Sequence, residues 1–434
     1  MTSFESPLGL QEHLSPLEEP LTVGEAVAWI QRSCFTTGPA GRIGLELELL
    51  VGRVGDPALE LPFPADNYRR LFSELRLVEV PGSLTLEPGG QVELSSRPED
   101  TLAEVTRSVH SGLGLLRQRA ADLGASLVGA GVAPFREPMR ITHAPRYAAM
   151  ERYFEPWAPA GQTMMCSTAS VQVNIEAGTS DDEIRERWKL LYSVGPTLAA
   201  TFANSAWIGG RRSGWKSARL GAWLALDPAR TGVPLIKGSA GPGAAYAQWA
   251  LDAPLMMIRR EGGDWRAPVG LTFREWLAMG TSAVPDRQPA TLEDLQFHLT
   301  TLFPHVRPKG YFEVRYLDAQ PGCWWMVPAA VVAALTADPN TADHATAICA
   351  ASQDWEGASR FGLEDPATAM SAVKLMELAA DRLRLDPTTV DLSRLVEDYA
   401  EKWTVHGLSP ADDDPATWGS REQGCLLEGC VAGA

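Results

Sequence analysis

Positive charge is in short supply in this chain. Its 38 basic residues face 54 acidic ones, a formal net charge of −16. Nucleic acid and anionic membrane surfaces call for basic patches, so neither is expected as a partner. Small anionic ligands stay open, because magnesium and a few arginines can supply positive charge locally. No run of about 18 apolar residues occurs, so no membrane span is expected. The start, Met1 to Pro7, lacks the basic-then-apolar layout of a secretory signal. Six cysteines, at 34, 166, 323, 349, 425 and 430, form no Cys-x-x-Cys pair and no compact disulfide framework. Reduced thiols and a cytoplasmic setting are the expectation. Seven histidines are scattered without a His-Glu-x-x-His motif, which argues against a zinc enzyme. No Gly-Lys dipeptide exists, so there is no Walker loop, and no Gly-x-Ser-x-Gly elbow occurs. Gly129-Ala130-Gly131 meets Pro134 where a dinucleotide fingerprint needs its third glycine.

The 434 residues, 45% apolar and 21% charged, suffice for one large or two ordinary soluble domains. In the segment Arg42 to Leu49, apolar residues fall at 43, 45, 47 and 49, the period of a strand. Glu46 and Glu48 therefore share one face, about 7 Å apart. Alternation also predicts strands over Ser83–Glu87 and Gln91–Ser95, joined by a Pro88-Gly89-Gly90 turn, and over Thr168–Glu176 and Tyr311–Tyr316. Ser126–Ala130 reads as a further strand. Helices are predicted over 22–34, 65–75, 101–124, 180–202 and 292–302. Thr22, Thr101 and Ser180 stand at their starts. Residues 209–245, rich in Gly, Arg and Pro, read as loops, with Gly238 to Gly243 as a flexible loop or a lid. Helical patterns fill most of 328–405. One catalytic domain over 1–408 is expected, followed by an irregular tail over 409–434.

Laid side by side, the predicted strands each carry one apolar and one polar face. The polar faces hold Glu46, Glu48, Glu87, Glu93, Glu176 and Glu313, a single Arg315, and no lysine. A solvated face would mix lysine with glutamate. Unscreened, clustered carboxylates repel one another, and a bound divalent cation would turn that repulsion into binding. Magnesium commonly bridges carboxylates to substrate phosphates. If the strands share a sheet, a metal–nucleotide site follows.

Gly44-Leu45-Glu46-Leu47-Glu48, Pro88-Gly89-Gly90-Gln91-Val92-Glu93-Leu94-Ser95, Thr168 through Asn174, and Phe303-Pro304 with Tyr311-Phe312-Glu313-Val314-Arg315 resemble, in order, the plant-type glutamate–cysteine ligases. The resemblance is strongest to bacterial members that serve ergothioneine biosynthesis, and it runs from about residue 25 to 330. It implies an α+β fold with a curved, mainly antiparallel, glutamine-synthetase-like sheet, a concave active-site face, and helices on the other side. It implies ATP-dependent joining of L-glutamate, through its γ-carboxylate, to L-cysteine by way of γ-glutamyl phosphate. Magnesium ligands would be Glu46, Glu48, Glu93 and Glu313, with Glu87 a further candidate. Arg315 would work beside Glu313 in catalysis, on the transferring phosphate. Thr168, Ser170, Gln172 and Asn174 would floor the amino-acid pocket. Arg219 and Arg230, in a segment similar to the family's glutamate loop, become candidates for substrate carboxylates, and Trp223 for a pocket wall. Arg307 and Lys309 read as an exposed loop pair rather than as phosphate contacts. The expected partners are small molecules alone, and the expected state a monomer or weak homodimer. Other amine acceptors, a metal-dependent hydrolase and a non-catalytic metal- or amino-acid-binding protein remain alternatives from the residues themselves.

Overall fold

The computed structural model describes residues 20–415 except 39–40, 57–58, 61–62, 235, 237–239, 260–263 and 285–288. The tail beyond 415 and part of the predicted glycine-rich lid thus lie outside the described residues.

Seven strands form one antiparallel sheet: β1 (Ile43–Arg53), β2 (Gly82–Leu86), β3 (Val92–Ser96), β4 (Ala125–Val128), β5 (Ser170–Glu176), and, after a small hairpin of β6 (Trp207–Ile208) and β7 (Arg211–Arg212), β8 (Val306–Pro308) and β9 (Tyr311–Asp318). Their order is β2-β3-β1-β5-β9-β8, with β4 on the far end of β1. The glutamate strand β1 is central because its other face, Ile43, Leu45, Leu47 and Leu49, is wholly buried. The Pro-Gly-Gly turn between β2 and β3 needs its glycines. A side chain on Gly89 would meet the Cys166 carbonyl at 2.0 Å, and Gly90 has φ +87°.

One strand departs from simple alternation. Val171 pairs with Leu317 and Ser170 with Asp318, yet Val173 pairs with Val314. Arg315 and Tyr316 therefore both stand opposite Gln172, a β-bulge that reverses the side-chain parity of β9 beyond it. Tyr316 turns to the helix layer, where its hydroxyl donates to the Leu191 carbonyl at 3.1 Å. Asp318 comes back to the face that carries Ser170.

The helices are α1 (Val23–Cys34), α2 (Asn67–Leu75), α3 (Leu102–Asp122), α4 (Pro145–Phe154), α5 (Ala160–Ser167), α6 (Asp181–Thr201), α7 (Ala218–Leu224), α8 (Pro228–Thr231), α9 (Pro242–Asp252), α10 (Phe273–Met279), α11 (Leu292–Leu299), α12 (Met326–Leu335), α13 (Pro339–Ile348), α14 (Trp355–Phe361), α15 (Pro366–Arg384) and α16 (Val390–Lys402). α3, α6 and α12 pack on the apolar sheet face, and α13, α15 and α16 cover them. The starts lie where capping chemistry puts them. Thr22, Thr101 and Ser180 each accept the backbone N–H three residues on.

Three expectations need correction. The supposed loops of 209–245 contain α7, α8 and the start of α9. Ser217 caps α7 and Asp227 caps α8, and Pro228 and Pro242 open α8 and α9, so proline marks helix starts there rather than breaks. The tail is ordered at its beginning: Pro410–Asp412 form a 3₁₀ turn, Ala411 N–H donates to the Ala203 carbonyl at 3.0 Å, and Asp412 pairs with Lys216. Cys34, Cys166 and Cys349 are buried free thiols, but Cys323 is disulfide-bonded.

Candidate active site

Register brings the carboxylates together across strands. Glu48 stands opposite Glu93, Glu93 opposite Thr85, and Glu313 opposite both Asn174 and Arg307. Residues so opposed lie about 5 Å apart. Glu46, Glu48, Glu87, Glu93 and Glu313 thus line one face.

The polar residues of β5 do not form an open floor; they hold the glutamates. Ser170 donates to Glu48 Oε2 from its backbone N–H at 2.7 Å and its hydroxyl at 2.8 Å. Gln172 Nε2 donates to Glu48 Oε1 at 3.2 Å, while its Oε1 accepts from Arg315 at 2.9 Å. Asn174 Nδ2 donates to Glu46 at 3.0 Å. Thr85 and Ser95 donate to Glu93 at 2.8 and 3.1 Å. Thr168 is turned away: its hydroxyl donates to the Met164 carbonyl at 2.6 Å.

Two electrostatic halves result. In one, burial pushes the Glu46 carboxyl up to about 7, with Glu313 and Glu93 adding repulsion. Burial likewise pushes Glu87 up to about 8, with Glu93 and Glu48 adding. Glu48 and Glu93 are raised as well, first by burial. In the other half, burial alone would raise Glu313, but Lys309, Arg315 and Arg307 outweigh it and hold the carboxyl far below its usual range. Lys309 Nζ donates to Glu313 at 3.0 Å, Arg315 Nη1 at 2.5 Å, and Arg307 Nη1 lies 3.3 Å away. The reading of Arg307 and Lys309 as an exposed loop pair is therefore wrong. β8 lays Arg307 directly beside Glu313, and both cations are largely buried.

The two candidate arginines of the glutamate-loop segment part company. Arg219 is buried beside Glu48 and Arg315; its Nη2 donates to the Arg315 carbonyl at 2.7 Å, and its guanidinium lies over Trp223, 5.1 Å from the ring centre. Trp223 is in turn tethered by its indole N–H to the Phe303 carbonyl at 3.1 Å. Arg230 is fully buried elsewhere. It donates to Thr301 at 3.0 Å, lies 3.6 Å from Asp227, and sits 4.5 Å over the Tyr153 ring. These contacts tie α8 to the Thr301 segment and to α4.

Sequence reasoning missed Arg146 and Tyr147 at the start of α4. Arg146 faces Glu87 and is held by Thr300, with Oγ1 at 2.8 Å and the carbonyl at 3.0 Å. Burial pushes the Tyr147 phenol well above its usual range, and Glu87 adds to it. One signal was available: an arginine in the first helical turn opposes the helix dipole, and such local misfits cluster at functional positions.

The sequence pattern of glutamate–cysteine ligase family 2 matches residues 42–423. The chain belongs to the glutamate–cysteine ligase family. As a member it is a ligase. It is 36% identical over 424 residues to the glutamate–cysteine ligase EgtA of Mycobacterium tuberculosis, covering 95% of this chain and 94% of that one. It is 35% identical to EgtA of Mycolicibacterium smegmatis over 89% and 93% of the two chains. The chloroplastic glutamate–cysteine ligase of Arabidopsis thaliana is 32% identical over 79% of this chain and 67% of its own. A glutamate–cysteine ligase from Francisella tularensis, solved in complex with AMP, superposes with a TM-score of 0.51 at 12% identity, over 92% and 90% of the two chains. That likeness bears out the expected α+β fold with an open antiparallel sheet.

Proposed function

We propose that the protein joins the γ-carboxylate of L-glutamate to the amine of L-cysteine with ATP, giving γ-glutamylcysteine, ADP and phosphate, as a step toward ergothioneine. The observation that carries this reading is the single sheet face on which five glutamates meet Arg146, Arg219, Arg307, Lys309 and Arg315. The near full-length similarity to EgtA proteins supports the choice of substrates.

In the first step a γ-carboxylate oxygen of glutamate attacks the γ-phosphorus of ATP, and ADP leaves. In the second the free amine of cysteine attacks the γ-carbon, and phosphate leaves with the proton that the nitrogen sheds. Both build negative charge on phosphoryl oxygens, which positioned cations stabilise. Arg315 and Lys309, fixed on Glu313, are the donors for that charge, and the planar fork of Arg315 suits phosphate oxygens. Arg219 has two buried donor nitrogens, Nε and Nη1, with no protein hydrogen bond, which suits a substrate carboxylate. Arg146 supplies a cation at the Glu87 end.

Magnesium is part of the proposal. Among the described residues, no three acidic, histidine or cysteine side chains converge closely enough to chelate an ion as they stand. The chemistry of the donors still fits: Glu46, Glu48, Glu87 and Glu93 offer only oxygen, burial raises all four, and repulsion between carboxylates adds at Glu46, Glu87 and Glu93. These glutamates, with Glu313, would hold the ions. Bound magnesium would neutralise the triphosphate and the incoming carboxylate. Hydrogen bonds from Ser170, Gln172, Asn174 and Thr85 would keep the carboxylates aimed.

The test follows ADP release with magnesium-ATP and glutamate, with and without cysteine, and identifies the product by mass spectrometry across several amines. Cysteine-stimulated release, abolished in Glu46→Gln and Glu93→Gln, supports the reading. Preference for another amine would replace the acceptor, and turnover without ATP would overturn the ligase assignment.

A further inference from the structure

Asp318 lies outside the constellation that the ligase reading uses, yet the bulge in β9 turns it to the same face. It is 1% exposed. Its Oδ2 accepts from the Asn204 backbone N–H at 2.9 Å and the Ser205 hydroxyl at 2.6 Å, and its Oδ1 from the Ser217 hydroxyl at 2.9 Å. Gly131 lets the backbone pass close by; a Cβ there would fall 2.6 Å from the Asp318 carboxyl carbon. Three hydrogen bonds would tie down the 203–217 loop with a neutral acceptor too. A carboxylate in this position carries a desolvation cost that a neutral group avoids.

Among the described residues the charge has one ion-pair partner. Arg219 Nη1 lies 3.8 Å from Asp318 Oδ1, and both side chains are almost completely buried. The Arg219 guanidinium is otherwise set by the Arg315 carbonyl on Nη2 and by the Trp223 ring beneath it. The neighbouring Arg315 cation works against it. Nε and Nη1 remain without hydrogen-bond partners. A guanidinium pushed by a like charge and drawn by Glu48 needs a fixed counter-charge behind it to keep a donor edge presented.

We propose that Asp318 is a positioning residue: its charge at the end of β9 holds Arg219 so that the guanidinium meets a carboxylate of the glutamate substrate. The inference rests on the ligase reading above, and the tests separate the two. Asp318→Asn keeps an acceptor for the loop and removes the charge. It should raise KM for glutamate by about tenfold, while KM for ATP and cysteine stay within about twofold. Arg219→Lys should raise the same KM. The double variant should be no worse than Arg219→Lys alone, because the two residues act as one unit. Lys216→Ala provides the loop control: it loosens the same loop from Asp412 and Glu364 without touching Asp318. It should lower Tm without a glutamate-selective effect.

Unchanged glutamate KM in Arg219→Lys would sink the substrate role of Arg219, and the proposal with it. A raised KM there but not in folded Asp318→Asn would overturn the positioning role alone. So would additive effects in the double variant, or a glutamate-selective rise in Lys216→Ala. Should Asp318→Asn fail to fold, Asp318→Glu moves the charge by one methylene. A selective rise in glutamate KM there supports the proposal, and an unchanged value overturns it.

Discussion

Glu46 and Glu87 have carboxyls pushed up to about 7 and about 8, chiefly by burial. A carboxyl raised above its unfolded value binds more protons folded than unfolded. Its stabilising effect is therefore complete below the unfolded pKa and lost as pH climbs through the folded one. In metal-free buffer, Tm should fall between about pH 5 and about pH 8.5, and Glu87→Gln should flatten the upper part of that fall. Differential scanning fluorimetry across pH checks both. Glu93→Gln should lower kcat by at least about 100-fold while leaving Tm level or higher, since it removes a repelling charge. Arg230→Met should do the reverse. It leaves Asp227 beside Tyr153 without its cation, at about 3–5 kcal/mol, and should leave KM for glutamate unchanged, as urea unfolding and steady-state kinetics would show. Alternation alone made Glu46, Glu48, Glu93 and Glu313 legible. It could not separate Arg219 from Arg230, which share a segment, because their fates depend on which helix each one starts or ends. Nor could it show that Ser170, Gln172 and Asn174 are occupied by glutamates, because that is a matter of register between strands.

Elements with strong local chemistry were legible, and those defined by partners were not. The strands β1, β3, β5 and β9 follow from period-two patterns, and α1, α3 and α6 from their capping residues. α7 and α8 are too short for a 3.6-residue period to emerge, and only their caps, Ser217 and Asp227, announce them. The bulge in β9 is invisible in sequence because it exists only as a mismatch with β5. The β2–β3 turn shows how tightly one element constrains another. Gly89→Ala would drive a methyl into the Cys166 carbonyl of α5, 2.0 Å away. About 2–4 kcal/mol of destabilisation is expected, measured by denaturant titration, with loss of activity as Glu87 and Glu93 shift.

Over the whole molecule, an acidic chain has buried four carboxyls with raised pKa on one sheet face, so cation binding and global stability should be coupled. Magnesium should raise Tm, and more at about pH 8 than at about pH 6, because protons compete for the same oxygens. A thermal shift with equal magnesium at both values checks this. Among the described residues no helix is long and apolar enough to cross a membrane. The turn at 410–412 carries a consequence for how the enzyme is made. Arg212 and Lys216 reach Asp412 across 200 and 196 positions of chain, and the loop so fastened leads straight into Arg219. A nascent polypeptide can lay down every glutamate of the sheet while still on the ribosome, yet the clasp beside Arg219 closes only when the last helices have emerged. The loop that leads into Arg219 would then gain this fastening late in synthesis, and chains ending before residue 412 would lack it.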